Sequence, residues 1–361
     1  MRKNWRQRAY QPGDEESIFS LVTAVWGNEV PDKERWLKGW QQVYMENPAG
    51  SSIIWLAEAD GKLVGQYPLV LMDMKIGDTM VKAGEVVDTM THPDYRRQGI
   101  ASALGKEALS QLKEQGACLA FGFPTSEVYP VHMKSGWLDV CAFQVLVKPL
   151  NLGNILKARF TSNRLSLPIF MLAGSLVLKT FYRAKRPPKI KGLTISRLSR
   201  FDERFDEFWN QICTDHSIIL VRNTRFLNWR YVDPPDIDCA IYVAEDKHIC
   251  GYMILGSHKE RNGLTLGRIY DIVAPLDRPD VLHCLVFKAT EHFQKEKVDA
   301  IFVQMIAHKI YRESFLKNGF VPHPRSKNRF IAYNVSANLH DEFLENPANW
   351  FIQLGDLPGV Y

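Results

Sequence analysis

The chain lacks most of the features that would take it out of the ordinary globular proteins. Six cysteines among 361 residues, Cys118, Cys141, Cys213, Cys239, Cys250 and Cys284, include no C-x-x-C pair. Neither a disulfide framework nor a metal site is therefore expected. The cysteines read as buried thiols of a reducing compartment, and a cytoplasmic location is expected. No apolar run reaches the roughly 18 residues of a membrane span. The nearest, LSLPIFMLAGSLVL at 165–178, is too short to cross alone. The basic start, MRKNWRQRAYQPGDEES, has no apolar core behind it, so no secretory leader is expected. Charge is nearly balanced, 45 Lys and Arg against 40 Asp and Glu, and the net +5 is too mild to mark a nucleic-acid binder. With 46% apolar and 24% charged residues, the chain reads as soluble and globular, long enough for two domains.

What is present centres on residues 86–112, VVDTMTHPDYRRQGIASALGKEALSQL. The stretch reads as a strand, a basic turn and a helix. Ile100, Leu104, Ala108 and Leu112 recur every four residues, the stripe of an amphipathic helix. The turn, Arg96 to Ala101, sets two guanidiniums beside the free N–H groups at the positive end of that helix. Such an arrangement is an anion site. Gly99, without a Cβ, is expected to let a phosphate approach the backbone.

Arg96-x-x-Gly99-x-Ala101, preceded by His92-Pro93 and a β-like run, resembles the acetyl-CoA pyrophosphate loop of the GNAT (Gcn5-related) N-acetyltransferases. The resemblance implies that Arg96, Arg97, Gln98, Gly99, Ile100, Ala101 and Ser102 hold the diphosphate. It also implies that the strand end, Met90 and Thr91 included, offers backbone groups to the pantetheine arm and thioester. A second landmark, His132-Met-Lys-Ser-Gly136-Trp137, resembles the family's Tyr-x-Lys-x-Gly-Phe helix end. His132 stands where the family commonly carries a tyrosine acid; it can donate a proton near neutral pH, and Tyr129 lies one turn away. Asp88, an acid in the apolar run VVDTM, is either the base that relieves the acceptor ammonium of its proton or a structural hydrogen-bond acceptor. Glu85 on the same strand is the second candidate.

Around this stretch the chain reads in order. A first helix runs to Trp26 with Asp14 as its cap, and a second, 32–45, carries Trp36, Leu37, Trp40 and Tyr44. In the resembling family the first helices shape the acceptor pocket. Strands follow at 52–59, 63–74 and 81–90, then at 118–123 after the amphipathic helix, and residues 140–147 read as one strand closing the domain. The region 151–191 holds the apolar stretch above and Lys179, Arg183, Lys185, Arg186, Lys189 and Lys191. It reads as a basic connector; weak contact with a membrane surface is the alternative.

The pattern then repeats. AIYVAEDKHICGYMIL echoes IIWLAEADGKLVGQYPLVL, RIYDIVAP echoes EVVDTMTHP, and FLKNGF echoes HMKSGW. Asp88 and Gly136 are 48 positions apart, as are Asp271 and Gly319. The second copy has PLDRPDVLHCLVFKA where the loop should be, with Pro279 in place of an N–H donor, so one cofactor per chain is expected. Phe226 and Trp229 in the aromatic and basic stretch 225–231 read as one packed helix face. The tail, 338–361, is expected to dock, with Trp350, Phe351 and Leu354 on one helical face.

The expected fold class is α/β (α+β): two tandem GNAT-like domains, each a mixed splayed β-sheet flanked by helices. Residues 1–150 form the acetyl-CoA-binding domain, 151–190 a basic helical linker, 191–336 a degenerate copy and 337–361 a tail. The implied activity is acetyl transfer from acetyl-CoA to a primary amine of a small molecule, an amino sugar or another small amine. Two alternatives stand beside it: a Fem-like aminoacyl transferase, which would use aminoacyl-tRNA, and a CoA-binding module without turnover. The sequence names neither the acceptor nor an oligomeric state.

Overall fold

Two successive runs of β-branched and aromatic residues, punctuated by glycine turns, build the same antiparallel meander twice. The computed structural model describes residues 4–27, 30–159, 182, 184–234, 237–323 and 328–357. The first meander runs β1 (Arg6–Ala9), β2 (Ile53–Ala59), β3 (Lys62–Ile76) and β4 (Thr79–Val86), each antiparallel to the next. The short β5 (Met90–Thr91) returns to β3 opposite Gly65 and Gln66. A helix, Ile100–Glu114 (α3), crosses over to β6 (Leu119–Gly122), which is parallel to β4. Ahead of β2 lie α1 (Glu15–Trp26) and α2 (Lys33–Tyr44). Asp14 does not cap α1 through its side chain; its carboxylate is taken by Arg8, 2.7 Å away.

The second meander is β9 (Thr194–Leu198), β11 (Ala240–Glu245), β12 (Ile249–Lys259) and β13 (Thr265–Val273). Helix Pro279–Lys295 then crosses to β14 (Ala300–Ile306), parallel to β13. The repeat inferred from spacing is thus a repeat of topology.

The halves exchange a strand. β7 (Leu138–Ala142) stays in the first sheet, but β8 (Gln144–Pro149) enters the second, between β14 and β15 (Val321–Pro322). In return β16 (Arg329–Asn334) lies between β6 and β7. The single strand expected over 140–147 is therefore two strands in different sheets. The apolar run is continuous because the chain stays in the core while it passes from sheet to sheet at Phe143, which is 2% exposed.

The sheets are also stitched by β10 (Ile218–Leu220), antiparallel to β3, and by β17 (Trp350–Gln353), which pairs with both β10 and β14. The tail docks, but not as the expected helix. Trp350 and Phe351 are buried because β17 is hydrogen-bonded along both edges inside the molecule.

Helix α3 sits close to its sheet because three glycines leave room for it. A Cβ on Gly65 would lie 2.6 Å from Ile100 Cγ2, one on Gly84 2.9 Å from Leu112 Cδ2, and one on Gly105 2.9 Å from Tyr67 Cε2. Ile100, Leu104, Ala108 and Leu112 are all buried, as their spacing predicts. The apolar part of the linker, with Lys179 and Arg183, lies outside the described residues, and with it the membrane-contact expectation. Lys185, Arg186, Lys189 and Lys191 are exposed. Among the described residues no helix is long and apolar enough to cross a membrane.

Candidate active site

The loop 96–101 is shaped by backbone conformation. Pro93–Tyr95 forms one turn of 3-10 helix, and then Arg97 (φ +62°) and Gly99 (φ +84°) reverse the chain into α3. The backbone conformation by itself calls for glycine here. A Cβ at Gly99 would meet nothing within 4 Å; the left-handed φ is what asks for glycine. Gln98 sits between the two left-handed residues. The first α3 turn closes with Ala103 N–H donating to Gly99 O at 3.0 Å. The N–H groups of Ile100, Ala101 and Ser102 precede that bond at the positive end of a 15-residue helix. Arg96 and Arg97 are exposed beside them, and Arg96 Nε lies 3.4 Å from Thr91 O.

A groove of about 440 Å³ runs from this loop between α3 and α4 (Tyr129–Lys134). Ser102, Lys106 and Lys113 line one wall, His132 and Ser135 the other, and Tyr333 of the exchanged strand its floor. A helix N-terminus flanked by arginines at one end and lysines along the side is the donor set an anionic CoA needs. Met90, 6% exposed, and Thr91 stand where the strand meets the loop.

β4 and β6 keep register as far as Val86 and Gly122 and then part. The chain leaves β4 through Asp88, a non-glycine residue at φ +45°. Two side chains hold it: Tyr44 OH donates to Asp88 Oδ2 at 2.7 Å, and Gln66 Nε2 donates to Asp88 O at 2.9 Å. Asp88 is exposed to solvent, yet protein surrounds it closely enough that desolvation raises its carboxyl above the ordinary value, with the Tyr44 hydrogen bond opposing. Asp88 is thus accessible to solvent and crowded by protein at once.

Glu85, 1% exposed, is different. Burial pushes it well above the carboxylate range; Arg230 opposes this, while Asp356 and Asp88 add to it. Its Oε2 has no hydrogen-bond partner, and burial disfavours its charged form. The Thr89 hydroxyl is likewise buried without a partner.

His132 and Tyr129 lie on α4 with other partners. His132 is 3% exposed, packs edge-on against Trp137 with ring centres 4.7 Å apart, and has Nδ1 3.5 Å from Tyr67 OH. Burial pushes its pKa down to about 4, so the ring is neutral at pH 7. Tyr129 OH donates to Asp139 Oδ2 at 2.8 Å, and Asp139 also pairs with Arg329 of β16. No hydrogen bond joins either residue to Asp88. The partners that do reach Asp88, Tyr44 and Gln66, were not read as site residues. Tyr44 left one trace: it ends an i, i+4 row on α2. Trp36 and Trp40 ring centres are 6.1 Å apart, and Trp40 and Tyr44 5.2 Å.

Helix α2 is in turn fixed by the second half. Gln42 Nε2 donates to Trp229 O at 2.9 Å, and Trp229 Nε1 donates to Gln42 O at 3.0 Å. Trp229 belongs to helix Thr224–Tyr231, whose Phe226, Leu227, Trp229 and Tyr231 are all buried. The aromatic and basic stretch is thus a packed helix.

Comparison with known proteins agrees with this geometry. Residues 6–138 match the family model described as an acetyltransferase (GNAT) domain. No curated protein matches the sequence. Among solved structures, a GCN5-related N-acetyltransferase from Anabaena variabilis superposes with a TM-score of 0.63 at 16% identity, over 92% of this chain and 73% of that one. A conserved protein of unknown function from Enterococcus faecalis, described as a probable N-acyltransferase, gives 0.60 at 16% identity over the same shares. Saccharomyces cerevisiae N-myristoyltransferase, solved with bound myristoyl-CoA and inhibitors, gives 0.61 at 13% identity over 91% of this chain and 80% of that one. These similarities establish the fold, a two-domain GNAT architecture.

Proposed function

We propose that this chain, whose residues 6–138 match the acetyltransferase (GNAT) domain model, transfers an acetyl group from acetyl-CoA to a primary amine of a small molecule, an amino sugar or a similar amine. One observation carries the reading: an accessible, crowded carboxyl, Asp88, stands where β4 and β6 part, on the stretch that leads into a helix N-terminus with free N–H groups. The N–H groups of Ile100, Ala101 and Ser102 hold the diphosphate, with Arg96 and Arg97 beside them. Met90 and Thr91 present backbone to the arm, and the groove between α3 and α4 takes the rest of the molecule. Acetyl-CoA supplies the activated acyl group.

Asp88 accepts the proton of the acceptor ammonium, directly or through one water, and so frees the amine to attack. Its raised pKa makes it a stronger base than an exposed aspartate. Glu85, buried and pushed well above the carboxylate range, is set apart from Asp88, which is open to solvent. The departing thiolate needs little help. Its pKa is about 8.5 by analogy with cysteine, and His132, neutral at pH 7, does not serve as an imidazolium acid. The second half binds no CoA and walls the acceptor side through the Gln42–Trp229 pair.

The test is release of free thiol from acetyl-CoA over a panel of glucosamine, an aminoglycoside, spermidine and a peptide with a free N-terminus, repeated with myristoyl-CoA. Amine-dependent release with acetyl-CoA, lost in Asp88→Asn, is expected. CoA binding without release for any amine or donor would make the chain a binding module, and preference for the long acyl chain would reject the acetyl donor.

A further inference from the structure

An aspartate at the end of a strand has no intrinsic reason to hold φ +45°. For a non-glycine residue this conformation is strained. It persists when neighbours over-determine it, and here two do so from different elements. Gln66 of β3 is 2% exposed and is fixed in register opposite Met90. Its amide spends its donor on the Asp88 carbonyl, while Gln66 Oε1 is left buried without a partner. A buried acceptor left unsatisfied is costly, so the side chain is kept in an orientation that serves Asp88 at its own expense. Tyr44, 3% exposed, closes the last turn of α2 and gives its hydroxyl proton to Asp88 Oδ2. One partner holds the backbone and the other the carboxylate.

We propose that Tyr44 and Gln66 are positioning residues: Gln66 locks the left-handed turn that presents Asp88 where β4 and β6 part, and Tyr44 holds one carboxylate oxygen so that the other faces the acceptor. This rests on Asp88 being the base. The two clamps act in opposite senses. The phenol stabilises the charged carboxylate and keeps its proton affinity down. The turn holds the carboxyl among protein atoms and keeps it up. The charged and titratable neighbours from the packed elements are Tyr44 on α2 and Glu85 on β4, with Arg230 from the second half set against Glu85.

The experiment titrates Asp88 directly in the full chain by infrared difference spectroscopy, its band being identified as the one lost in Asp88→Asn. Tyr44→Phe should move the midpoint up by about one pH unit, the loss of one hydrogen bond to a charged group. Gln66→Met, of similar shape, should move it down toward the ordinary aspartate range as the turn relaxes toward solvent. Calorimetric affinity for CoA should stay at the wild-type value in both. A purely structural role would lower the melting temperature and leave the midpoint alone. If either folded variant titrates at the wild-type midpoint, the clamp is overturned for that residue; Gln66→Met carries the test should Tyr44→Phe fail to fold. Amine transfer retained by Asp88→Asn would instead reject Asp88 as the base, whatever the midpoints show.

Discussion

At Gly84 in the first half and Gly267 in the second, a strand passes beneath its crossover helix with no room for a side chain: an added Cβ would lie 2.9 Å from Leu112 Cδ2 and 2.7 Å from Phe293 Cδ1. Four residues on, each strand carries an aspartate. Asp88 meets a phenol and an amide and remains open to solvent. Asp271 is sealed at 1% exposure, with Arg222 Nε 3.1 Å away and Tyr252 OH at 2.9 Å. Arg222 also reaches both oxygens of Asp356, at 2.8 and 2.7 Å. The same place in one fold therefore holds an acid open to solvent in one copy and a sealed ion pair in the other. A guanidinium that neutralises the acid makes the difference.

The grooves differ in the same sense. Between α3 and α4 the first half is open. In the second half, residues of the linker lie across the helices in the matching place: His283 Nε2 is 2.9 Å from Lys185 O, Lys185 N–H donates to Lys317 O at 3.1 Å, and a Cβ on Gly319 would sit 2.3 Å from Tyr182 O. Pro279 opens the crossover helix, and Arg278 before it is paired with Asp280 at 3.1 Å. Among the described residues, the second copy lacks the first copy's cradle of N–H groups, and the linker lies where the first copy is open.

The sharpest way to break this comparison is to make the two aspartates alike. Asp271→Asn should lower the free energy of unfolding by about 3 kcal/mol, since it leaves a buried guanidinium short of charge; denaturant titration measures it. Asp88→Asn should cost almost no stability, because its folded environment already disfavours the charge. It should lower the amine transfer rate by about a hundredfold, read from the steady-state rate at pH 7. Equal stability losses in the two variants would erase the distinction.

A second contrast lies at His132, whose counterpart in FLKNGF is Phe315. A histidine held at about 4 in the folded state binds its proton more readily when unfolded. Its stabilising contribution is whole above about pH 6.5 and is lost as the pH falls toward 4, about 2 kcal/mol of it by pH 5. His132→Phe should flatten that part of the melting-temperature profile between pH 6.5 and 4. An unchanged slope would show that the ring is not buried neutral. The smallest effect belongs to Arg96, exposed at the rim: Arg96→Ala should weaken CoA binding about tenfold, measured by calorimetry, with melting unchanged.

How much of this could be read in the residues follows the range of the interactions. The loop at Arg96–Ala101 was legible because a helix N-terminus, a left-handed glycine and two arginines are local features. The repeat was legible because its landmarks keep their separation. The exchange of β8 and β16 was not. A strand buried on both faces shows the same apolar run whichever sheet it joins, and only pairing between residues such as Phe302 and Val147 decides. Trp350 and Phe351 suited a helix face as well as a strand for the same reason. Gly65, Gly84 and Gly105 carried no local signal; their need arises where α3 meets β3 and β4. Tyr44, Gln66 and Glu85 meet Asp88 only in the folded chain, and His132 looked like a neutral-pH donor until its burial was known.

The central claim is that one half binds the cofactor and the other does not. Because the halves exchange strands and share β17, the test belongs to the intact chain. Calorimetric titration with CoA should give a stoichiometry of about one per chain. The same titration on Gly99→Val should show no binding while the melting curve stays cooperative, because the substituted Cβ meets no neighbour but the backbone turn is lost. Two equivalent sites in the wild-type chain, or binding retained in Gly99→Val, would contradict it.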